Sequence, residues 1–190
     1  RRKFSLPENF LLYVGDSTWN KNLPRLISAV KQTNRKLVLI GKVWADNFSG
    51  ISNHPWNEDL RKVTKEVEND EQFIRLGFVP EEDLVKVYNI ATALIMPSIY
   101  EGFGLPVLEA MKCGCPVIAT RGGSLPEVAG DAVSYVNHES EESIKEAVER
   151  IFSEPKLRKE LSEKGIEQAK KFSIEKMMKD LINVYEETHR

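Results

Sequence analysis

The sequence predicts an α/β fold: one doubly wound parallel sheet of six strands, with helices on both faces, in a single domain. Three observations predict it. Short apolar runs alternate with amphipathic stretches along most of the chain, the order expected of βαβ units. The runs are apolar nearly throughout, as in strands covered on both faces. Glycine, polar residues and acids fall in the segments after the runs, where a parallel sheet of this Rossmann-like kind keeps its ligand crevice.

The elements follow in order. "FLLYVG" (Phe10 to Gly15) is the first strand, and "LPRLISAVKQ" places Leu23, Leu26, Ile27 and Val30 at helical spacing after it. "KLVLIG" (Lys36 to Gly41) is the second strand. A long loop, "KVWADNFSGISNHPWN", separates it from an exposed charged helix, "EDLRKVTKEVEN". "FIRLGFV" (Phe73 to Val79) is the third strand, followed by "PEEDLVKVYNIA", whose Pro80 and acids suit a helix first turn. "ALIMPS" (Ala93 to Ser98) is the fourth, "LPVLEAMKCG" a helix closed by Gly114, and "PVIAT" (Pro116 to Thr120) the fifth. Ser124-x-x-Glu127 reads as a capping box that starts a helix before the sixth strand, "AVSYVN" (Ala132 to Asn137). Helices occupy about residues 140 to 188. The last has one apolar stripe, Ile174, Met177, Met178, Leu181, Ile182 and Tyr185.

Composition narrows the function. The chain has 190 residues, 29% charged and 41% hydrophobic, the profile of a soluble globular protein with one sizeable domain. A net charge of -2 argues against a nucleic-acid surface. No apolar run nears the roughly 20 residues that span a bilayer, and "RRKFSLPENF" lacks the apolar core of a signal peptide. Cys113 and Cys115, one residue apart, read as reduced thiols of a cytoplasmic protein. His54, His138 and His189 have no second ligand at metal spacing, so no metal site is expected. Trp44 and Trp56 read as packing at the core edge.

The chemistry gathers in "PSIYEGFGLPVLEAMKCGCPVIAT", Pro97 to Thr120. Gly102 and Gly104 permit a tight turn between the fourth strand and a helix whose early position takes Pro106. The free N–H groups of Gly102, Phe103, Gly104 and Leu105, with the helix dipole behind them, suit a phosphate. Glu101 and Glu109, with seven residues between them, flank the turn. One carboxylate could hold a ribose diol and the other a sugar. The alternative is that Glu109 is a solvated helix residue and Glu101 a loop charge.

These residues resemble a known family. "PSIYEGFGLPVLEAMKCGCPVIATRGGSLPEVAGDAVSYV" is similar to the nucleotide-sugar-binding half of the group 1, or family 4, glycosyltransferases, in which the spaced acids form an E-x7-E motif. "LLYVGDSTWNKNLPRLISAV", "FIRLGFVPEEDLVKVYNIATALIMPS" and "FSIEKMMKDLINVYEE" extend the likeness from about Phe10 to the C-terminus. The resemblance implies a retaining transferase of the GT-B fold, with two Rossmann-like domains facing a cleft. Glu101 would meet the donor sugar near its anomeric centre. Gly102, Phe103, Gly104 and Leu105 would meet the phosphates, Glu109 the ribose, and Lys21 the leaving diphosphate. Gly15 would form the tip of the first strand, and the backbone at Phe78, Val79 and Pro80 would cradle the base. The donor would be a UDP-, GDP- or ADP-sugar, bound without cofactor or metal.

Two departures stand out. Many relatives carry an arginine at the positions of Asp16 or Asn20, and losing such a cation removes a contact worth about 1.5–3 kcal/mol. Lys21 alone, or Lys42 or Arg121, would have to compensate, although the latter two also read as ordinary surface charges. The family's enzymes are also about twice this long. "RRKFSLPENF" is similar to the linker into their second domain, so the chain reads as the donor-binding half alone, inactive without the N-terminal acceptor domain. If it acts on a lipid-linked acceptor, the full-length parent would associate peripherally with the cytoplasmic membrane face, mainly through the other half. The last helix, which crosses to the other domain in relatives, would favour self-association when bare. The rivals are a dinucleotide-dependent dehydrogenase, which needs G-x-G-x-x-G where "GDSTWNKN" stands, a sugar-nucleotide epimerase, against which the acid spacing argues, and a nucleotide-binding or interaction module without turnover.

Overall fold

The computed structural model describes residues 1–45 and 57–188. Six parallel strands form one sheet: β1 (Leu11–Val14), β2 (Leu37–Ile40), β3 (Phe73–Gly77), β4 (Ala93–Met96), β5 (Val117–Ala119) and β6 (Ser134–Tyr135). Their spatial order is β3-β2-β1-β4-β5-β6, with Leu11 opposite both Leu37 and Ala93. All six predicted strands exist and are trimmed at their ends. β3 stops at Gly77, where a left-handed residue (φ 64) turns the chain away, and β6 keeps only two residues.

Every residue of β2 and β4 is buried, which is why these strands are apolar at each position. The helices are α1 (Leu23–Lys31), α2 (Glu58–Val67), α3 (Glu81–Ile90), α4 (Leu105–Lys112), α5 (Leu125–Ala129), α6 (Glu141–Ser153), α7 (Pro155–Ala169) and α8 (Ile174–Thr188). In α1, Leu23, Leu26, Ile27 and Val30 are buried as their spacing predicts. It packs against α2 and α6, whereas α4 packs against α3, α5 and α7. Trp44 lies in the core with its ring edge-on to Tyr13, 6.3 Å between centroids. Trp56, His54 and His189 lie outside the described residues.

The capping box at Ser124 is corrected by the structure. α5 does begin at Leu125, but the Ser124 side chain makes no cap bond. Its Oγ donates instead to the Glu101 carbonyl, 3.2 Å away. A stronger tertiary acceptor has taken the hydroxyl from the local one.

In α8 every residue is exposed, including Ile174, Met177, Met178, Leu181, Ile182 and Tyr185. The predicted stripe is present on the helix but buries nothing within the described residues.

Because β1 is neighboured by β2 on one side and β4 on the other, the chain leaves the sheet centre in opposite directions. The crevice beyond the C-terminal ends of β1 and β4 is therefore a topological switch point. Gly15 and Gly41 close the sheet at this rim. Gly15 N–H donates to Ile40 O and Gly41 N–H to Gly77 O, both at 2.9 Å. A Cβ on Gly41 would lie 2.3 Å from the Gly15 carbonyl oxygen, at a φ of 153° that few side chains adopt. Gly102 in contrast has open space around its missing Cβ. We predict that Gly41→Ala lowers stability by roughly 2–3 kcal/mol. Gly102→Ala should change it by less than about 0.5 kcal/mol. Urea unfolding midpoints check both, and equal losses would contradict the rim packing.

Candidate functional site

The loops after β1 and β4 are joined face to face. After β1 the chain makes a 3-10 turn over Trp19–Lys21, and Asn22 takes a left-handed conformation (φ 55) to enter α1. Asparagine tolerates that conformation because its side chain can bond locally. Here it also bonds far away: its amide donates to Pro97 O at 3.0 Å and to His138 O at 2.8 Å. Asn20 adds two more ties. Its carbonyl accepts from Ile99 N–H at 2.8 Å, and its amide donates to Tyr100 O at 2.9 Å. Three of these bonds hold residues 20–22 against residues 97–100, and the fourth ties Asn22 to His138.

Lys21 and Glu101 meet inside this junction. The Lys21 ammonium lies 2.7 Å from Glu101 Oε1, and the two side chains are only 18% and 9% exposed. Ser98, fully buried, donates to the same oxygen at 2.6 Å. Burying a carboxylate is costly unless it is paired and hydrogen-bonded, and Glu101 is both. Glu101 Oε2 accepts no hydrogen bond from a described residue. On the far side, Ser124 N–H donates to Glu101 O at 3.1 Å, and Thr120 Oγ donates to Ser98 O. The Gly122–Gly123 turn presses on this segment. A Cβ on Gly122 would lie 2.3 Å from Ile99 O, and one on Gly123 2.2 Å from Glu101 O.

Gly104 (φ 90) is the N-cap of α4, and Pro106 sits in its first turn. The N–H groups of Gly102, Phe103, Gly104 and Leu105 have no acceptor among the described residues. Four bare amides at the positive end of a helix, directly after the Glu101 that pairs with Lys21, have the chemistry to receive an anion. Phe103 is partly exposed and meets Phe172 edge-on at 6.0 Å, and Leu105 is exposed.

Glu109 differs from Glu101. It is exposed on α4, and the buried Tyr88 of α3 donates its hydroxyl to Oε2 at 2.9 Å. Burial, and then the nearby Glu109 charge, push the Tyr88 phenol well above its ordinary range, so it stays a donor. Burial likewise raises the Tyr13 phenol, with the charges of Glu101 and Asp16 adding to it, and that hydroxyl donates to Asp16 O at 2.6 Å. Phe78 is exposed just beyond β3, whereas the Val79 side chain is in the core, so Val79 presents only backbone to the rim.

The residues proposed to replace a missing arginine are placed differently. Arg121 stacks on the Tyr135 ring, 3.9 Å from its centroid, and Lys42 is exposed at the end of β2. Asn20 is occupied in joining the two loops. His138 contributes its carbonyl oxygen to Asn22 and Arg25. Among the described residues, no group of three or more His, Cys, Asp or Glu side chains is placed to hold a metal ion, and no helix is long and apolar enough to cross a membrane.

Sequence reasoning missed Ser98, Asn22, Tyr88, Thr120 and the Gly122–Gly123 turn. The double glycine directly after β5 was the one available signal, since two adjacent glycines at a rim mark close backbone approach. We predict that Asn22→Ala costs roughly 2–4 kcal/mol, because Pro97 O loses its side-chain donor, His138 O keeps only Arg25, and alanine resists the left-handed conformation. Denaturant unfolding measures it, and a loss below about 0.5 kcal/mol, the level of an ordinary surface change, would contradict the joint.

Comparison with known proteins identifies the family and the fold. The family model described as glycosyl transferases group 1 matches residues 1–168. O-antigen chain mannosyltransferase B of Escherichia coli is 35% identical over 183 residues, 94% of this chain and 46% of that protein. Among solved structures, sucrose-phosphate synthase of Thermosynechococcus elongatus superposes with a TM-score of 0.81 at 26% identity, over 100% of this chain and 48% of its own. Anabaena HepE in complex with UDP-glucose shares the fold, with a TM-score of 0.81 at 17% identity over 98% of this chain and 51% of its own. The chain thus spans about half the length of each of these three proteins. By the family match, the chain belongs to the group 1 glycosyltransferases.

Proposed function

We propose that this chain is the donor-binding, C-terminal half of a retaining family 4 glycosyltransferase of the GT-B fold. It would hold a nucleotide-diphosphate sugar while the sugar passes to an acceptor. The observation that carries the reading is the buried Lys21–Glu101 pair beside four unpartnered amides at the switch point. Departure of a nucleoside diphosphate develops negative charge on phosphate oxygens. Fixed amides, the α4 dipole and the Lys21 ammonium lower the barrier by meeting that charge where it forms. No metal is assigned a role in this reading.

Glu101 Oε2, left open by the protein, accepts from donor sugar hydroxyls. Glu109, steadied by Tyr88, accepts from the ribose diol, and the backbone at Phe78–Val79 borders the base. Several relatives that match over most of this chain are called mannosyltransferases, which favours a mannosyl donor. The acceptor and the rest of the barrier lowering belong to an N-terminal domain, so the chain alone transfers no sugar. The parent enzyme works in the cytoplasm, peripherally at the membrane. The α8 stripe covers part of the missing half, and in its absence another copy of α8.

The test is a thermal-shift screen with GDP-mannose, UDP-glucose and ADP-glucose. A donor at 100 times its Kd adds about 2.7 kcal/mol, or roughly 5–10 °C for a domain of this size. One donor class should produce that shift, and Lys21→Ala should remove most of it. No shift with any of the three would overturn the reading. A shift accompanied by sugar transfer from the chain alone would overturn only the assignment of the acceptor to a missing half.

A further inference from the structure

The Lys21–Glu101 pair has a property that pure donor binding does not require: both of its charges are already satisfied within the protein. Lys21 and Ser98 converge on one oxygen of Glu101, at 2.7 Å and 2.6 Å, and leave the other unbonded. An ammonium engaged by a carboxylate is a weaker partner for a diphosphate, and the carboxylate itself repels that anion. To serve the diphosphate, Lys21 has to loosen its hold on Glu101. That would strand a carboxylate buried to 7% exposure unless another donor remains.

We propose that Ser98 is a positioning residue that keeps Glu101 in place as Lys21 turns to the diphosphate, so that the ion pair is a latch the nucleotide must open. The proposal rests on the donor-site reading above. The placement of Ser98 supports it. The residue is fully buried and its carbonyl accepts from Thr120 Oγ, so the hydroxyl has a fixed origin at the end of β4. Lys21 is the mobile member, a point charge with three donors on a flexible stem. The released Glu101 keeps its Ser98 bond at Oε1, and Oε2 stays directed to the sugar.

The test is a double-mutant cycle on the chain, read as calorimetric affinity for UDP, GDP and ADP. Nucleoside diphosphates lack the sugar, so lost sugar contacts do not enter. Glu101→Gln should tighten binding about fivefold, and Ser98→Ala should weaken it about fivefold although Ser98 is fully buried behind Glu101. In the Glu101→Gln background the Ser98→Ala penalty should fall below about twofold, because no charge is stranded. Ser98→Thr should restore wild-type affinity. Equal Ser98→Ala penalties in the two backgrounds would mean a merely structural serine and overturn the latch, as would a Glu101→Gln variant that binds no more tightly. Either result leaves wild-type binding, and so the donor-site reading, intact. Absence of wild-type binding to all three nucleotides would overturn both. A measurement without variants covers a failure to fold: the side-chain ammonium resonance of Lys21 should move when wild-type protein is saturated with nucleotide, and an unmoved resonance refutes the latch.

Discussion

A single buried ion pair at the sheet centre organises the rim of this protein. Lys21 leaves β1 and Glu101 leaves β4, the two strands between which the chain changes direction. Each residue offsets the other's largely enclosed charge. Removing one member of so enclosed a pair leaves an uncompensated charge, typically at a cost of about 3–5 kcal/mol, whereas the intact pair adds little net stability. The pair is therefore better understood as a constraint on geometry than as a source of stability. Around it the backbone is arranged for close approach. Asn20 and Asn22 join the β1 loop to the β4 loop, and Gly122 and Gly123 allow the β5 loop to lie on the segment carrying Glu101. Three separate loops thereby form one rigid mouth beside the free amides of α4.

The two acids are held in different surroundings. Glu101 is enclosed, bonded through one oxygen and aimed by Ser98. Glu109 stands exposed on α4 with Tyr88 at one oxygen. Spaced by seven residues, the two lie on either side of the helix start, and each has an oxygen that accepts no hydrogen bond from a described residue. Asn20 has a structural use in joining the two loops, and Arg121 spends its guanidinium on the Tyr135 face. Lys21 is consequently the cation that the described structure places at the mouth itself.

Much of this was legible in the sequence. Both-face burial writes itself as unbroken apolar runs, so "LVLI" and "ALIM" were legible as strands. The glycine turn, Pro106 and the spaced acids marked the anion site because helix starts and tight turns restrict residue choice. The long-range polar contacts were not legible. Ser98 and Asn22 are common residues whose value comes from partners about 75–116 positions away or from a neighbour aimed by the fold. Ser124 shows the converse, since its local capping pattern lost to a tertiary acceptor. The stripe on α8 was legible as a packing face, yet nothing within the described residues covers it.

The central claim is that the amides of residues 102–105 and the Lys21–Glu101 pair together receive a nucleoside diphosphate. Amide-resolved NMR during titration with GDP and UDP tests it most directly. The account predicts that the largest shifts fall on Gly102, Phe103, Gly104 and Leu105, followed by Lys21 and its neighbours after β1. Shifts confined to the opposite, N-terminal edge of the sheet, with these amides unmoved at saturation, would contradict it.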